Sequence, residues 1–544
     1  TTTLDDDTMP LKLTRMEPGS HDVVALNGST TTYDYSTYGA FLFDYPPWGK
    51  RDVGDNITNG EPSFVNYTIQ NMTFFRNRIA ILSEENVILS RVNDFFNFWV
   101  KTAMAISNAD PIDLQSSSTY PTKLYSAVEA NSGLVILSAS EQFLLSSGAE
   151  ALLTPETAKV SYLSSYAFNP DTNPISLGTT IGFINSTARD ARFYELANPS
   201  AREPPQLIEQ SKIIARLFPQ NITNITGSTE NDLILFSVDS TLHTASNEVW
   251  GYKWYQSGDT RAQSAWFRWT MPNNVVFHSI MDDVYYAVLN TGSTYTLEKF
   301  DIKLSSDTDM IGSKPDEYRV HLDTKSEILT GDITYNDQTD VSTFNIGDGY
   351  YSSRTLTAYC IQPGNSAGKT YDIPANKITG SASDPAVELP GNWKYEKQEF
   401  EHTDVNTTTE AITLTKHNLT TTDAVVYRAP TTTGSSTVGG LSNGTTYYVI
   451  VVDANTIKLA TSTGNATAGT AVNLTATGSG VSTLEVLTDL IVGYEYEFEV
   501  ELPKIYMTQS DGSGKVRSET RGSLVVHRMN FDFGDVGVID VTLK

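Results

Sequence analysis

The sequence predicts an all-β protein whose larger part is a β-propeller of five or more blades, followed by further β-sheet domains and one small inserted β-domain. Three observations carry this. Charged residues are only 19% of the chain, and Thr, Ser, Asn and Gly fill the difference; these residues populate strands and turns. A strand–turn–strand unit recurs at a steady long period. The C-terminal third alternates apolar and charged residues with period two, as half-exposed strands do.

The recurring unit first appears as "IAILSEENVILS" (residues 79–90), an apolar strand, a short polar turn and a second apolar strand. It returns as "LVILSASEQFLLS" (134–146), "TIGFINSTARDARFYEL" (180–196), "LILFSVDSTLHTAS" (233–246) and "VYYAVLNTGSTYTLEKF" (284–300). Anchored on the residue that ends each first strand (Ser83, Ser138, Asn185, Ser237, Asn290), the gaps are 55, 47, 52 and 53 residues. A period near 50 residues with a hairpin in every unit is what four-stranded propeller blades produce. Each hairpin should be two adjacent strands of a separate blade. The four Trp of "EVWGYKWYQSGDTRAQSAWFRWTMP" suit packing between blades.

The first unit lies in "FFRNRIAILSEENVILSRVNDFFNFW" (74–99), dense enough in charge and rings to resemble an active-site segment. Ile79, Ile81, Val87 and Leu89 read as blade core, and "DFFNFW" as an aromatic wedge. Arg76, Arg78 and Arg91 could hold an anion; beside Glu84, Glu85 and Asp94 they read more simply as ion-paired scaffold.

Past residue 302 the repeat stops. "EYRVHLDTKSEIL" and "STFNIGDGYYSSRTLTAYCIQ" are alternating strand sequence, and "KYEKQEFE" and "YEYEFEVE" read as matching charged strands that pair or lie side by side. Between them, residues 404–485 are rich in Thr, Gly, Ala and Asn, a composition shift that suggests a small β-domain inserted at a hairpin tip. "SLVVHRMNFDFGDVGVIDVTL" reads as two closing strands. The expected organisation is thus an N-terminal β region (1–62), the propeller (63–305), a C-terminal β-domain in two parts (306–403 and 486–544) and the insert (404–485). The chain opens "TTTLDDDTMP" without an initiator Met, which reads as a processed product or as part of a longer chain with further sequence upstream.

Chemistry is hard to find. The seven histidines (His21, His243, His278, His321, His402, His417, His527) are scattered, with no HExxH pair. There is no G-x-S-x-G elbow, P-loop or GxGxxG. "DITYNDQTD" offers oxygen ligands without the calcium-loop register, so it reads as a solvated loop before an ion site. One cysteine, Cys360, excludes an intramolecular disulfide and a thiolate metal cage, and reads as a part-buried free thiol. The dozen N-x-S/T sequons read as products of Thr-rich composition rather than glycosylation sites. No catalytic, cofactor-binding or metal-ligating residue is assigned, no cofactor is expected, and no run of apolar residues is long enough to span a membrane. A carboxylate pair built across blades, as in glycosidases, leaves no local trace.

Net charge is −27, from 64 acidic and 37 basic residues. That argues against a protein that grips nucleic acid by neutralising phosphates, though not against one past which nucleic acid slides.

"MPLKLTRMEPGS", followed by "DYPPWGKRDVGDNITNGEPSFVNYTIQNMTFFRNRIAILSEENVILSRVNDFFNFW", resembles the tail nozzle proteins of short-tailed bacteriophages, also called tail tubular protein B. The likeness is strongest over residues 9–113, in W-x-K-R-x-V-G-D, P-S-F, F-x-R-N-R and E-N-V-I-L-S-R; it is diffuse but collinear to about residue 301 and weak beyond. Residues 404–485 depart from the family core. The resemblance implies a virion tail component, made in the host bacterial cytoplasm, that is not an enzyme. It implies a homo-hexamer ring below a tail adaptor protein, with tail fibres at the periphery and double-stranded DNA passing through the lumen without tight binding; contact with the host cell surface is a further possibility. Six copies at −27 would carry −162 formal charges, and carboxylates facing a lumen would repel a passing duplex. The competing reading is a propeller-based protein that recognises or depolymerises host-surface glycans.

Overall fold

The computed structural model describes residues 3–500 apart from 25–29, 35–39, 119, 149–151, 179, 198–205, 215–216, 239–245, 258–259, 303–321, 348–354, 361–363, 367 and 382–383; beyond 500 it describes 507–510, 516–519 and 528. The two strands expected in "SLVVHRMNFDFGDVGVIDVTL" lie outside the described residues, save Arg528. The described fold is built of antiparallel sheets, and its one α-helix among the described residues is Thr463–Thr467. The chain divides into two compact units, Thr1–Leu304 and Ser305–Lys544.

In the first unit, five sheets follow one another along the chain, each built from strands in sequence order. The first holds Ile69–Phe75, Arg78–Ser83, Asn86–Leu89 and Ile112–Gln115. The second holds Leu124–Ala130, Gly133–Ser138, Gln142–Ser146 and Lys159–Ser164. The third holds Ile175–Ser176, Thr180–Ser186, Ala191–Ala197 and Gln206–Glu209, and the fourth Asn224–Ser228, Leu233–Ser237, Glu248–Ser257 and Thr260–Thr270. The fifth has three strands, Asn274–Met281, Val284–Asn290 and Tyr295–Asp301. The five anchor residues read from sequence fall in five separate sheets. In the fourth unit the strand after Leu233–Ser237 is Glu248–Ser257, and most of the expected second strand, 239–245, lies outside the described residues.

The second strand of each sheet explains the order. Arg78–Ser83 and Gly133–Ser138 are buried at every position, as continuous apolar runs covered on both faces must be. Alternate side chains enter different cores. Ala80 and Leu82 meet Leu134 and Ile136 of the second sheet, while Ile79 and Ile81 face the other way. Val135 and Leu137 meet Ile181 and Phe183 of the third sheet. Ile184 and Phe193 meet Ile234 and Phe236 of the fourth, and Leu233 and Leu235 meet Tyr285, Ala287 and Leu289 of the fifth.

Three of the four Trp read as inter-blade packing, Trp250, Trp254 and Trp266, join the core between the third and fourth sheets; Trp269 packs toward the fifth. The Phe267 ring lies over Gly251, its strand partner, at a place where an added Cβ would sit 2.1 Å from the ring. Successive sheets touch along their first strands, from Ile69–Phe75 through to Asn274–Met281. Among the described residues no core cluster joins the fifth sheet to the first. The outward face of the first sheet is instead covered by Leu4, Met9, Phe64, Phe98 and Trp99.

Two β-ribbons precede these sheets, Lys12–Met16 with Ala40–Asp44 and Ser20–Val24 with Thr30–Asp34.

In the second unit, two four-stranded sheets share one core. One orders Asp323–Ile328, Leu490–Tyr494, Leu356–Cys360 and Thr370–Ile373; the other orders Thr334–Asn336, Val341–Asn345, Asp384–Pro390 and Ile378–Ser381. Cys360 is buried in that core and forms no disulfide. A separate seven-stranded sheet spans residues 395–487 and has its own core, including Phe400, Val425, Tyr427, Val449, Leu484 and Val486. Its chain leaves and returns at one point: Thr488 N–H donates to Lys394 O (3.1 Å) and Thr488 Oγ1 to Trp393 O (2.6 Å).

The expected pairing of the two charged strands is not what forms. Tyr395–Glu401 pairs with Val481–Leu487, and residues 495–500 carry no strand. The pairing brings Leu484 and Val486 into one core with Phe400, and charge agrees with it. Lys397 lies opposite Glu485 in the observed register, whereas two Glu-rich strands would set like charges face to face.

This arrangement makes a deletion informative. Bridging Lys394 to Thr488 with a short Gly-Ser turn should leave a folded, monodisperse protein. Bridging 403 to 486 instead should leave Phe400 without its core and yield aggregate. Size-exclusion chromatography and thermal melting separate the two outcomes.

Candidate functional site

The segment that looked most like a site is spent on itself. Arg78 is 1% exposed, and its guanidinium donates to the carbonyls of Ser90 (2.6 Å), Asp110 (2.7 Å) and Asn108 (3.0 Å). The expected ion pairs with Glu84 or Glu85 do not form there; Glu84 pairs with Lys123 at 3.0 Å. Burial lowers the Arg78 pKa to about 10, partly offset by Asp110, so the group is cationic at neutral pH. A buried cation needs hydrogen-bond acceptors, and three carbonyl dipoles take three of its five N–H groups. Arg91 does pair with Asp94, at 3.4 Å, and Arg76 lies over the Phe75 ring.

The aromatic wedge is present: Phe98 and Trp99 are buried, and Trp99 Nε1 donates to Gly49 O at 2.8 Å. Asn59 ties the preceding loop to it, donating to Val53 O (2.9 Å) and accepting from Val100 N–H (3.3 Å). Arg51 stacks over Trp99 and donates to Asn59 O at 3.1 Å. Asp110 accepts from the N–H groups of Lys101 and Ser107, and Asp113 from that of Ser63. Arg78, Asn59, Asp110 and Asp113 are thus bonded to groups of the chain itself.

Sequence reading missed a second set of residues, the side chains that fasten one sheet to the next. Asn71 Nδ2 donates to Tyr125 O and Ser126 Oγ (both 3.3 Å), Asn169 Nδ2 to Ile222 O (3.2 Å) and Asn224 Nδ2 to Val276 O (3.2 Å). These bonds span 52 to 54 residues to the carbonyls, the repeat length itself. An Asn in or ahead of the first strand of one sheet and a strand one period later were the available signal. Asn71 and Asn224 both head sequons, and both amides are committed to the fold. Between the third and fourth sheets, Arg261 grips Glu195 with two bonds (2.7 and 3.0 Å) and donates to Tyr252 Oη (3.0 Å). Tyr252 Oη donates onward to Gln210 Oε1 at 3.1 Å.

"DITYNDQTD" forms a hairpin tip. Asn336 Oδ1 accepts from the N–H groups of Gln338 and Thr339, and Tyr335 Oη donates to Asp340 at 2.9 Å. Among the described residues, no group of three or more His, Cys, Asp or Glu is placed to hold a metal ion. An open cavity of about 570 Å³ in the second unit is edged by Glu327, Asp332, Thr334, Thr343 and Asn345, with no histidine, lysine or cysteine in its lining. Of the histidines, His243, His321 and His527 lie outside the described residues. His417 is buried and bonded to Asp453 O (2.8 Å) and Leu419 N–H (2.9 Å). His278 is buried beside the Tyr285 ring.

The family model described as bacteriophage nozzle protein matches residues 1–401. Among curated proteins, the chain is similar to the tail tubular protein gp12 of Escherichia phage T7, 27% identical over 361 residues, which is 65% of this chain and 43% of that protein. The matched region thus spans less than half the length of that relative. Solved structures with overlapping traces include the N-terminal domain of Nup159 (8% identity, 80% of this chain and 93% of that one, TM-score 0.25) and Hsv2p of Kluyveromyces lactis (9%, 62% and 89%, TM-score 0.27). At those scores neither bears on the fold.

Two outcomes are expected. Arg78→Ala takes the guanidinium away from two buried carbonyls, of Ser90 and Asp110, and from the part-buried one of Asn108, and should cost roughly 3–5 kcal/mol, read as a lower denaturant midpoint. His278 is held to a pKa of about 4 by burial, partly offset by the backbone of Asn224. Its folded pKa lies below the unfolded value, so the unfolded chain binds the proton first. Stability is then full above about pH 6.5 and falls as pH drops toward 4, by about 1.4 kcal/mol per unit at most. His278→Phe should flatten that slope; an unchanged slope would assign it to other groups.

Proposed function

The chain belongs to the bacteriophage nozzle protein family, and we propose that it is a structural component of a phage tail: a ring-shaped nozzle that conducts the genome at ejection and gives tail fibres a docking surface. The observation that carries this reading is the family match over residues 1–401, which includes the whole first unit. The geometry supports it. The charge- and ring-rich segment of residues 74–99 serves the fold, as the Arg78 carbonyl cage and the Trp99–Gly49 bond indicate. The same match favours a conduit over a glycan-recognising or depolymerising protein.

In finer terms, the five sheets that meet along their first strands act as blades of an open propeller within residues 63–305, preceded by an N-terminal β region at 1–62. Residues 306–403 and 486–544 form a C-terminal β-domain interrupted by the insert, whose sheet reaches to 395 and 487 on its two sides. The assembly is a homo-hexamer in the virion tail, beneath the adaptor and ringed by fibres, made in the bacterial cytoplasm. It has no turnover of its own.

Charge suits passage rather than capture. Each lumen Lys or Arg would attract a passing phosphate, and several in register would add drag that grows as salt falls. Lumen surfaces lined by Asp, Glu and neutral polar residues avoid this, consistent with a chain of net charge −27.

Electrophoretic mobility shift with a short duplex tests the reading. At about 0.15 M salt the purified protein should bind no tighter than ordinary non-specific contacts, with Kd of roughly 10⁻⁴ M or weaker. Tight binding that weakens steeply with added salt would contradict it.

A further inference from the structure

The first strand of the fifth sheet breaks its own alternation. Val275 pairs with Leu289 and Phe277 with Val288, so Val276 is an extra residue, a bulge. Val275 lies in the core with Tyr285, Ala287 and Leu289, and unbroken alternation would bring Phe277 in beside it. The bulge turns His278 inward in its place: His278 is 2% exposed and Phe277 53%. The strand thus buries a titratable ring and leaves an apolar one in water, the reverse of what burial alone selects.

His278 also stands midway along the seam between the fourth and fifth sheets. Two residues before it, Val276 O accepts from Asn224 Nδ2 (3.2 Å); two residues after it, Ile280 N–H donates to Thr226 Oγ1 (2.9 Å). Neither ring nitrogen of His278 has a hydrogen-bond partner, and nor has Tyr285 Oη, whose ring centroid is 5.7 Å from that of the histidine. The backbone of Asn224 favours a proton on the ring without bonding to it. Few charges face the ring among the described residues. Glu298 shares the cross-strand row of His278 and Ala287, two strands away and half-buried. Burial raises the Tyr285 pKa and keeps that hydroxyl neutral. Across the seam, Asn224–Ser228 and Leu233–Ser237 carry no titratable side chain. Exposed Lys253 lies in the distant row of Leu233, Arg268 pairs with Glu248 on the far face, and Asp283 accepts from Asn231 (2.9 Å).

We propose that His278 makes this seam an acid-sensitive joint: protonation of the ring parts the fifth sheet from the fourth while sheets one to four stay packed. An imidazolium carries two N–H donors and a charge, and the seam offers it neither a bonded acceptor nor a neighbouring carboxylate. The ring reaches water only if the seam opens. This seam is also the one that opens at least cost. Sheets one to four are covered on both faces, whereas among the described residues the fifth, with three strands, is held by one core. Burial holds the ring's pKa in the docked form to about 4, below its value in water of 6.5, so the parted form takes the proton first. Docking is therefore strongest above about pH 6.5 and weakens as pH falls toward 4. The joint stands on the first unit alone and does not depend on the nozzle reading.

Hydrogen exchange read by mass spectrometry tests it on the full chain between pH 7.5 and 4.5, with rates corrected for their intrinsic pH dependence. Peptides within residues 274–301 should lose protection by up to about tenfold per pH unit below about 6.5. Peptides covering 79–89, 134–146 and 181–196 should hold theirs over the same range. H278F and H278Q should each remove the slope at 274–301 and keep protection in the other sheets. T226V, which takes away the acceptor of Ile280 N–H, should lower protection of the same peptides by a similar factor at every pH and leave the slope in place. Three results would overturn the joint: no pH dependence at 274–301, a slope that survives in either folded His278 variant, or loss of protection in all five sheets together.

Discussion

Two-faced burial governs the first unit. A strand such as Arg78–Ser83 is apolar at alternate positions on both sides, so neither face tolerates water. Burying one Leu or Ile side chain is worth about 1.5–3 kcal/mol, and each central strand has several on each face. One sheet can satisfy only one face of its neighbour. The neighbour then needs another sheet, and a series results. The order of the chain, the latches of Asn71, Asn169 and Asn224, and the Glu195–Arg261 clamp all serve that series.

A series has ends, and the ends differ. The first sheet is capped by the chain itself, through Leu4, Met9, Phe64 and the Phe98–Trp99 wedge. This gives the family-like segment its purpose. Arg51, Asn59, Arg78 and Asp110 fix the loops that carry the cap, and their polar groups are engaged in doing so. The fifth sheet has no such cap among the described residues.

The sequence made the all-β class and the hairpin series visible because continuous apolar runs punctuated by polar turns survive any uncertainty about partners. All five anchor residues, Ser83 to Asn290, fall in separate sheets for that reason. Partners were harder. Arg78 was expected to meet carboxylates nearby in sequence, yet it meets backbone carbonyls of residues 90, 108 and 110, groups that every residue carries and no pattern marks. The Glu-rich strands looked alike, and likeness misled: Tyr395–Glu401 took Val481–Leu487, whose Leu484 and Val486 share a core with Phe400. The inter-sheet asparagines left a trace at the repeat period, but a faint one, since Asn is common throughout.

Cryo-EM of the assembled protein tests the central claim most directly. The account predicts a closed ring of copies around an open channel, with the first sheet of every copy still capped by Leu4, Met9 and Trp99 and with carboxylates and neutral polar groups facing the lumen. Single copies at all concentrations, or a channel lined by unpaired arginines and lysines, would contradict it.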